Sequence, residues 1–389
     1  MLRELTFAID ASSWPNKTPP IELSARVGTM HVNVAVALLA TALRTRQPHV
    51  FGLQLADFWA WLRYFPAVDS TPDLRLKAAW ADIDPHQKTI LSDDWGMGFC
   101  TSVITDLLGV GIWANTIHVV DLLGPATVTL SRTGKRGPSK SPDFIGLTAD
   151  WRFVVLECKG TQTKTATLTD QLLAGVAQKA TARFANAATL RERLVGGLFV
   201  PGHGWNEEAA LVVCDPEPPP DVYEINAATD DIAAAICQSE LATVLPLAGL
   251  VRTGEFLETT PLAVKARLPV ECVAELESAL ADASDFVGAT RTFPLRAEIM
   301  ESTAGLARAV RASVKVDRVV LEALRTERSV SAAAHWLARR AAERISDPAW
   351  PRAVVVDGVG GDVGDAAPPS STLVTASGLL ASVDWLGAL

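Results

Sequence analysis

Paired cysteines are missing from this chain of 389 residues. Its five cysteines (Cys100, Cys158, Cys214, Cys237 and Cys272) are scattered and form no C-x-x-C pair. That argues against a disulfide framework and against a zinc ribbon. Long apolar runs are also missing. Stretches such as Val32–Leu43 are too short for a bilayer and end in Arg44 and Arg46. No basic-then-apolar leader pattern stands at the N-terminus. The expectation is a cytoplasmic protein with no membrane partner. A G-x-x-x-x-G-K-[ST] loop is absent: Arg132-Thr133-Gly134-Lys135 lacks the upstream glycine and the hydroxyl after the lysine. The chain is therefore not expected to supply its own ATPase. No helix-turn-helix, zinc finger or internal repeat stands out.

Net positive charge is lacking too. The sum is −9, with 49% apolar and 20% charged residues, ordinary for a folded soluble protein. The length allows two or three domains. The distribution of charge says more than the sum. Residues 130–190 hold nine Lys/Arg against four Asp/Glu, so the excess of acid lies elsewhere. Four of those cations (Arg132, Lys135, Arg136 and Lys140) belong to one Gly/Ser-containing loop directly ahead of Asp143. Such a loop attracts a phosphate backbone, although charge also serves simple solvation. These four residues are the candidate nucleic-acid contacts. Lys179 and Arg183 read as a solvated basic face.

The chemistry concentrates just downstream. Trp151-Arg152-Phe153-Val154-Val155-Leu156 is rich in β-branched and aromatic residues and reads as a strand. Alternation puts Trp151, Phe153, Val155, Glu157 and Lys159 on one face, so a carboxylate and an ammonium stand side by side at its end. Asp143 opens the preceding run, Phe144-Ile145-Gly146-Leu147-Thr148, and Ala149-Asp150 would turn that run back as a hairpin. The hairpin can bring Asp143 beside Glu157. Cys158, between acid and lysine, should point to the opposite face and pack in the core.

Pro142-Asp143, followed after thirteen residues by Glu157-Cys158-Lys159, resembles the PD-(D/E)XK nuclease superfamily, which includes restriction endonucleases and Holliday junction resolvases. The resemblance spans roughly residues 92–215. It implies a restriction-endonuclease-like αβββαβ core with a central mixed sheet flanked by helices. It also implies Mg²⁺ or Mn²⁺ held by Asp143, Glu157 and the Cys158 carbonyl, with Lys159 assisting the attacking water. Gln171 would support the metal shell from the following helix, on a stripe with Gly175 and Gln178. A further acid on the first helix, Asp94 or Asp106, would complete the shell, where the commoner pattern has a glutamate.

The element reading agrees with that order. Ser92 looks like an N-cap for a helix from Trp95 to Leu108 stopped by Gly109, with Asp93 and Asp94 favouring the positive end. Residues 116–123 read as a strand, residues 167–188 as a helix, and Gly197–Val200 and Ala210–Cys214 as buried strands. His203 lies in the loop between those two. The proline run from Asp215 to Asp221 is a natural boundary.

Three regions result: 1–91, mostly helical, with a short strand at Leu5–Ile9, a helix over 28–46 and an aromatic helix over 51–64; 92–215, nuclease-like; and 216–389, mainly helical. In the last, helices are expected near 229–245, 268–282, 302–325 and 330–345, with a mobile segment at 357–371 and an apolar tail, Leu379–Leu389, in need of a surface. The expected activity is a metal-dependent endonuclease on DNA, RNA remaining open. By family habit it would serve antiviral defence beside an ATPase, sensor or helicase subunit, or through self-association. The alternative from another class is a catalytically silent scaffold subunit.

Overall fold

A computed structural model describes residues 2–14, 18–45, 64–130, 141–179, 182–215, 223–294, 309–327, 329–347 and 370–386. The basic loop carrying Arg132, Lys135, Arg136 and Lys140, the segment 357–369, and the aromatic stretch apart from Tyr64 lie outside the described residues.

The chain opens with β1 (Leu2–Ile9), whose Leu5 and Phe7 face the core. A short helix α1 (Ile21–Ser24) precedes β2 (Gly28–Asn33), which pairs antiparallel with β1. The helix expected from residue 28 starts only at α2 (Val34–Arg44), because the Asn33 side chain caps it by accepting from the amides of Ala35 and Val36. Next comes α3 (Pro85–Leu108), capped by Asp84, with Pro85 in the first turn and left-handed Gly109 as its stop. It begins well before Trp95. Ser92 is thus no cap: its hydroxyl donates to the Lys88 carbonyl inside the helix.

Strand β3 (Val110–Asn115) follows without a loop. Residues 116–123, expected as strand, form α4 (Thr116–Leu123) instead, capped by the Asn115 side chain on the His118 amide. The buried Thr116, Val119, Leu122 and Leu123 recur at helical spacing rather than alternating. After β4 (Val128–Leu130) come β5 (Phe144–Thr148) and β6 (Phe153–Thr161), joined by the expected turn. The Thr148 hydroxyl donates to Asp150 at 2.6 Å, and Trp151 adopts a positive φ of 59°. Helix α5 (Thr165–Lys179) is shorter than expected. Its stretch beyond residue 181 becomes β7 (Ala182–Phe184) and a 3-10 turn capped by Asn186. The sheet is completed by β8 (Leu190–Phe199) and β9 (Ala210–Cys214).

After β10 (Tyr223–Ile225) the chain forms α6 (Thr229–Leu247), α7 (Val251–Thr259), α8 (Val270–Leu280), β11 (Phe286–Pro294) and β12 (Ala309–Asp317). It ends with α9 (Arg318–Thr326), α10 (Val330–Ser346), β13 (Ser370–Val374) and β14 (Leu379–Leu386). Of the helix expected over 302–325, the described residues 309–325 form β12 followed by α9, with Asp317 capping the switch. The apolar tail finds its surface within the chain, as β14 pairs with both β12 and β13.

The protein is α/β, with a central mixed sheet flanked by helices. The order is β2-β1-β9-β8-β6-β5-β3, and the pairs β1/β9 and β6/β8 are parallel. The first strands of the chain therefore share a sheet with the motif strands. Smaller sheets, β4-β10-β7 and β11-β12-β14-β13, stand beside it.

Two helices clamp β6. On one face α3 comes so close that a Cβ on Gly160 would lie 1.8 Å from the Ser92 carbonyl oxygen, and one on Gly96 2.5 Å from the Lys159 carbonyl oxygen. On the other face, Leu168 and Leu172 of α5 bury against Val195, Phe199 and Cys214. Each such leucine contributes about 1.5–3 kcal/mol of burial.

Candidate active site

The hairpin register pairs Phe144 with Leu156 and Ile145 with Val155. Extended by one step, it sets Asp143 opposite Glu157, and directly opposed residues of antiparallel strands share a sheet face. Asp143 is held by two backbone contacts. Its Oδ2 accepts from the Cys158 amide at 2.8 Å, and its carbonyl accepts from the Thr116 amide. Glu157 is fully buried, and its Oε1 accepts from Lys159 Nζ at 2.5 Å. Its other oxygen, Oε2, makes no well-aligned hydrogen bond among the described residues, although the Asp143 amide lies near enough to the carboxylate to favour its charged form. Gly175 of α5 roofs the pair: a Cβ there would meet Glu157 Cγ and Lys159 Cε, each at 3.4 Å. The Cys158 thiol lies on the far side of the strand, beside Cys100 of α3, as alternation requires.

Burial and the neighbouring Asp143 charge push the Glu157 carboxyl up to about 8, with Lys159 and the Asp143 amide pulling the other way. Burial also raises Asp143, against the Cys158 amide and Lys159, with Asp93 adding to the rise. Burial alone would lower Lys159, but the Glu157 and Asp143 carboxylates outweigh it and hold the ammonium above its ordinary value. The site thus has more negative charge than its single lysine neutralises.

Asp93 is the residue that sequence reasoning set aside as a helix-end charge. Since α3 starts at Pro85, Asp93 stands mid-helix, where it interacts with both Lys159 and Asp143. Asp94 accepts from the Tyr64 hydroxyl at 2.8 Å and lines, with Asp143, a separate cleft toward His118 and Ser239. Asp106 lies away from the motif, in a small cavity beside Arg44 and Trp113. The missed signal was Asp84-Pro85, a cap followed by a first-turn proline.

Gln171 stands one turn before Gly175 and lines a cleft of about 500 Å³ with Asp93, Gly160, Gln162, His203 and Trp205. Its Oε1 is buried without a partner among the described residues. Gln162 is fixed on α3, donating to the Lys88 carbonyl at 2.6 Å and to Ser92 Oγ at 3.0 Å. His203 sits 2.8 Å from Asp69 at the cleft rim. Arg344 of α10 is buried against Asp317 and donates to the Ala376 carbonyl.

Among the described residues, no group of three or more His, Cys, Asp or Glu is placed to hold a metal ion. Asp143 and Glu157 stand together, and Asp93 acts on them through its charge without joining them as a third ligand. The donor set still suits a hard cation that keeps most of its waters, because one or two carboxylates suffice for magnesium. The incompletely satisfied Glu157 oxygen and the raised carboxyls are what such a cation would relieve. No described helix is long and apolar enough to cross a membrane. The chain matches no known family model, no curated protein and no solved structure.

Proposed function

We propose that the chain is a metal-dependent endonuclease that hydrolyses phosphodiester bonds in DNA, with a core of the PD-(D/E)XK type. One observation carries the reading: Asp143 is bound to the Cys158 amide beside Glu157, and Glu157 is buried with one oxygen on Lys159 and the other without a well-aligned hydrogen bond. A buried carboxylate with an incompletely satisfied oxygen costs stability, and acids perturbed in this way cluster at functional sites. The order of elements adds support. Apart from α4 and β4 inserted between β3 and β5, and β7 before β8, the elements from α3 through β3, β5 and β6 to α5 and β8 follow the order αβββαβ, with β8 parallel to β6 across the helix.

Asp143, Glu157 and the Cys158 carbonyl would hold Mg²⁺ or Mn²⁺, which would supply a nucleophilic water at neutral pH and offset charge on the transition state. Lys159 orients that water and stabilises developing negative charge. Gln171 and Gly175 close the site from α5; glycine lets the helix pack onto Val195, whose Cγ1 would lie 2.7 Å from a Cβ there. The basic loop ahead of Asp143 would contact phosphates through Arg132, Lys135, Arg136 and Lys140.

The test is cleavage of linear, plasmid and single-stranded DNA, and of RNA, with Mg²⁺ or with chelator. Lys159→Ala and Glu157→Ala are expected to abolish metal-dependent cutting while remaining folded by circular dichroism. Undiminished cutting by both variants would refute the assignment. The lack of a three-ligand cluster among the described residues favours a silent scaffold instead. A purified chain that cuts none of these polymers, yet retains a stable protein partner, would support that alternative.

A further inference from the structure

The cleft beside Lys159 contains more than a hydrolytic site needs. It starts at Gly160, the residue after the lysine, and runs to Trp205, a large aromatic that is 41% exposed. The indole has a prepared seat. It lies over Gly202, where a Cβ would sit 3.2 Å from the indole nitrogen, and against Phe199, with ring centroids 6.4 Å apart. The loop beneath it is tied on three sides. The Leu76 amide donates to the Pro201 carbonyl, Arg75 donates to the Trp205 carbonyl at 2.7 Å, and His203 meets Asp69. An exposed tryptophan held this firmly is a surface fixed before anything binds to it.

Gln171 and Trp80 also line this cleft, with Gln171 Oε1 and Trp80 Nε1 themselves sealed behind its surface. Lys77 and Lys88 add positive charge to its wall. An exposed aromatic platform and nearby cations match the face and phosphate of one nucleotide. A base inside a duplex offers no free face, since its neighbours cover both sides.

We propose that this cleft seats an unpaired nucleotide of the substrate strand, its base stacked on Trp205 and its phosphate beside Lys77 and Lys88. The inference rests on the polynucleotide reading above and narrows it. The substrate is single-stranded, or carries a strand end, flap or extruded base next to the bond that is cut.

Binding is measured by fluorescence anisotropy without divalent metal, so cleavage does not intervene. The probes are a labelled oligothymidylate of about a dozen nucleotides, a length within the reach of one strand-binding site, and a duplex of equal length. Trp205→Ala is expected to weaken single-strand binding about tenfold, the scale of one stacking contact. Duplex binding should change less than about twofold, and Trp205→Phe should restore most of the single-strand loss, because stacking tolerates any aromatic. Equal affinity of wild type and Trp205→Ala for the single strand overturns the proposal, as does an equal loss on both probes or no single-strand binding by the wild type. The parallel Mg²⁺ assay with Lys159→Ala keeps the two readings apart. If the wild type cuts and Trp205→Ala binds the strand normally, the cleft reading falls and the nuclease reading stands. If Trp205→Ala loses the strand but the wild type never cuts, the nuclease reading falls and the cleft reading stands.

Discussion

Replacing Glu157 by glutamine keeps the side chain's shape and removes its titration. The wild-type carboxyl is fully buried and raised from its ordinary 4.5 to about 8. A carboxyl that titrates higher in the folded state than in the unfolded state takes up a proton on folding. Its contribution is most favourable below the unfolded value, and stability falls as pH rises from there to the folded value. One proton of difference corresponds to a slope of about 1.4 kcal/mol per pH unit. Between about pH 5.5 and 7.5, the metal-free wild type should therefore lose up to ~3 kcal/mol that Glu157→Gln keeps.

Lys159 stays protonated across that range, since its ammonium is held above its ordinary value. The comparison is made by urea unfolding of both proteins at a series of pH values, taking the difference so that groups shared by both cancel. Mg²⁺ added near pH 8 should restore wild-type stability and leave the glutamine variant nearly unmoved, because the cation replaces the proton on the carboxyl. Stability curves that run parallel across the range, with no metal effect specific to the wild type, would refute the picture of a strained acidic pair.

Gly160→Ala forces a Cβ to within 1.8 Å of the Ser92 carbonyl oxygen, which is backbone and cannot rotate away. A loss of about 3 kcal/mol in urea unfolding is expected, toward the upper end for overpacking a core. Leu172→Ala, beneath the site in the α5 core, should cost about 2–5 kcal/mol while leaving Mn²⁺ affinity within a few-fold. Asp93→Asn is expected to weaken Mn²⁺ binding in calorimetry by up to about tenfold, the scale of one outer partner of a metal site. Asp106→Asn, outside the site, should leave it unchanged.

The motif hairpin was legible because every signal in it agreed. The run from Phe153 alternates correctly, Ala149-Asp150 makes the turn, and the acid and lysine fall two residues apart on one face. Gly109 was legible as a stop because a left-handed residue there is most easily glycine. Residues 116–123 were misread because Ile117, Val119 and Val120 favour strands, while the deciding feature, Asn115 capping the His118 amide, is a single polar residue upstream. Ser92 drew the start of α3 toward itself and concealed both the cap at Asp84 and the mid-helix place of Asp93. The sharing of one sheet by β1, β2 and the motif strands depends on β1 pairing with β9, some two hundred residues away, and no local pattern announces such a partner. The cleft at Trp205 was invisible for a similar reason. Its wall is assembled from segments near residues 77–93, 160–171 and 202–205.

The most direct measurement is a calorimetric titration of Mn²⁺ into the wild type, Asp143→Asn and Glu157→Gln at a pH near 8. Saturable binding by the wild type, lost or weakened at least about tenfold in each variant, is expected if the two carboxylates share a cation beside Lys159. Binding heat that is absent from the wild type, or unaltered by either substitution, would contradict it.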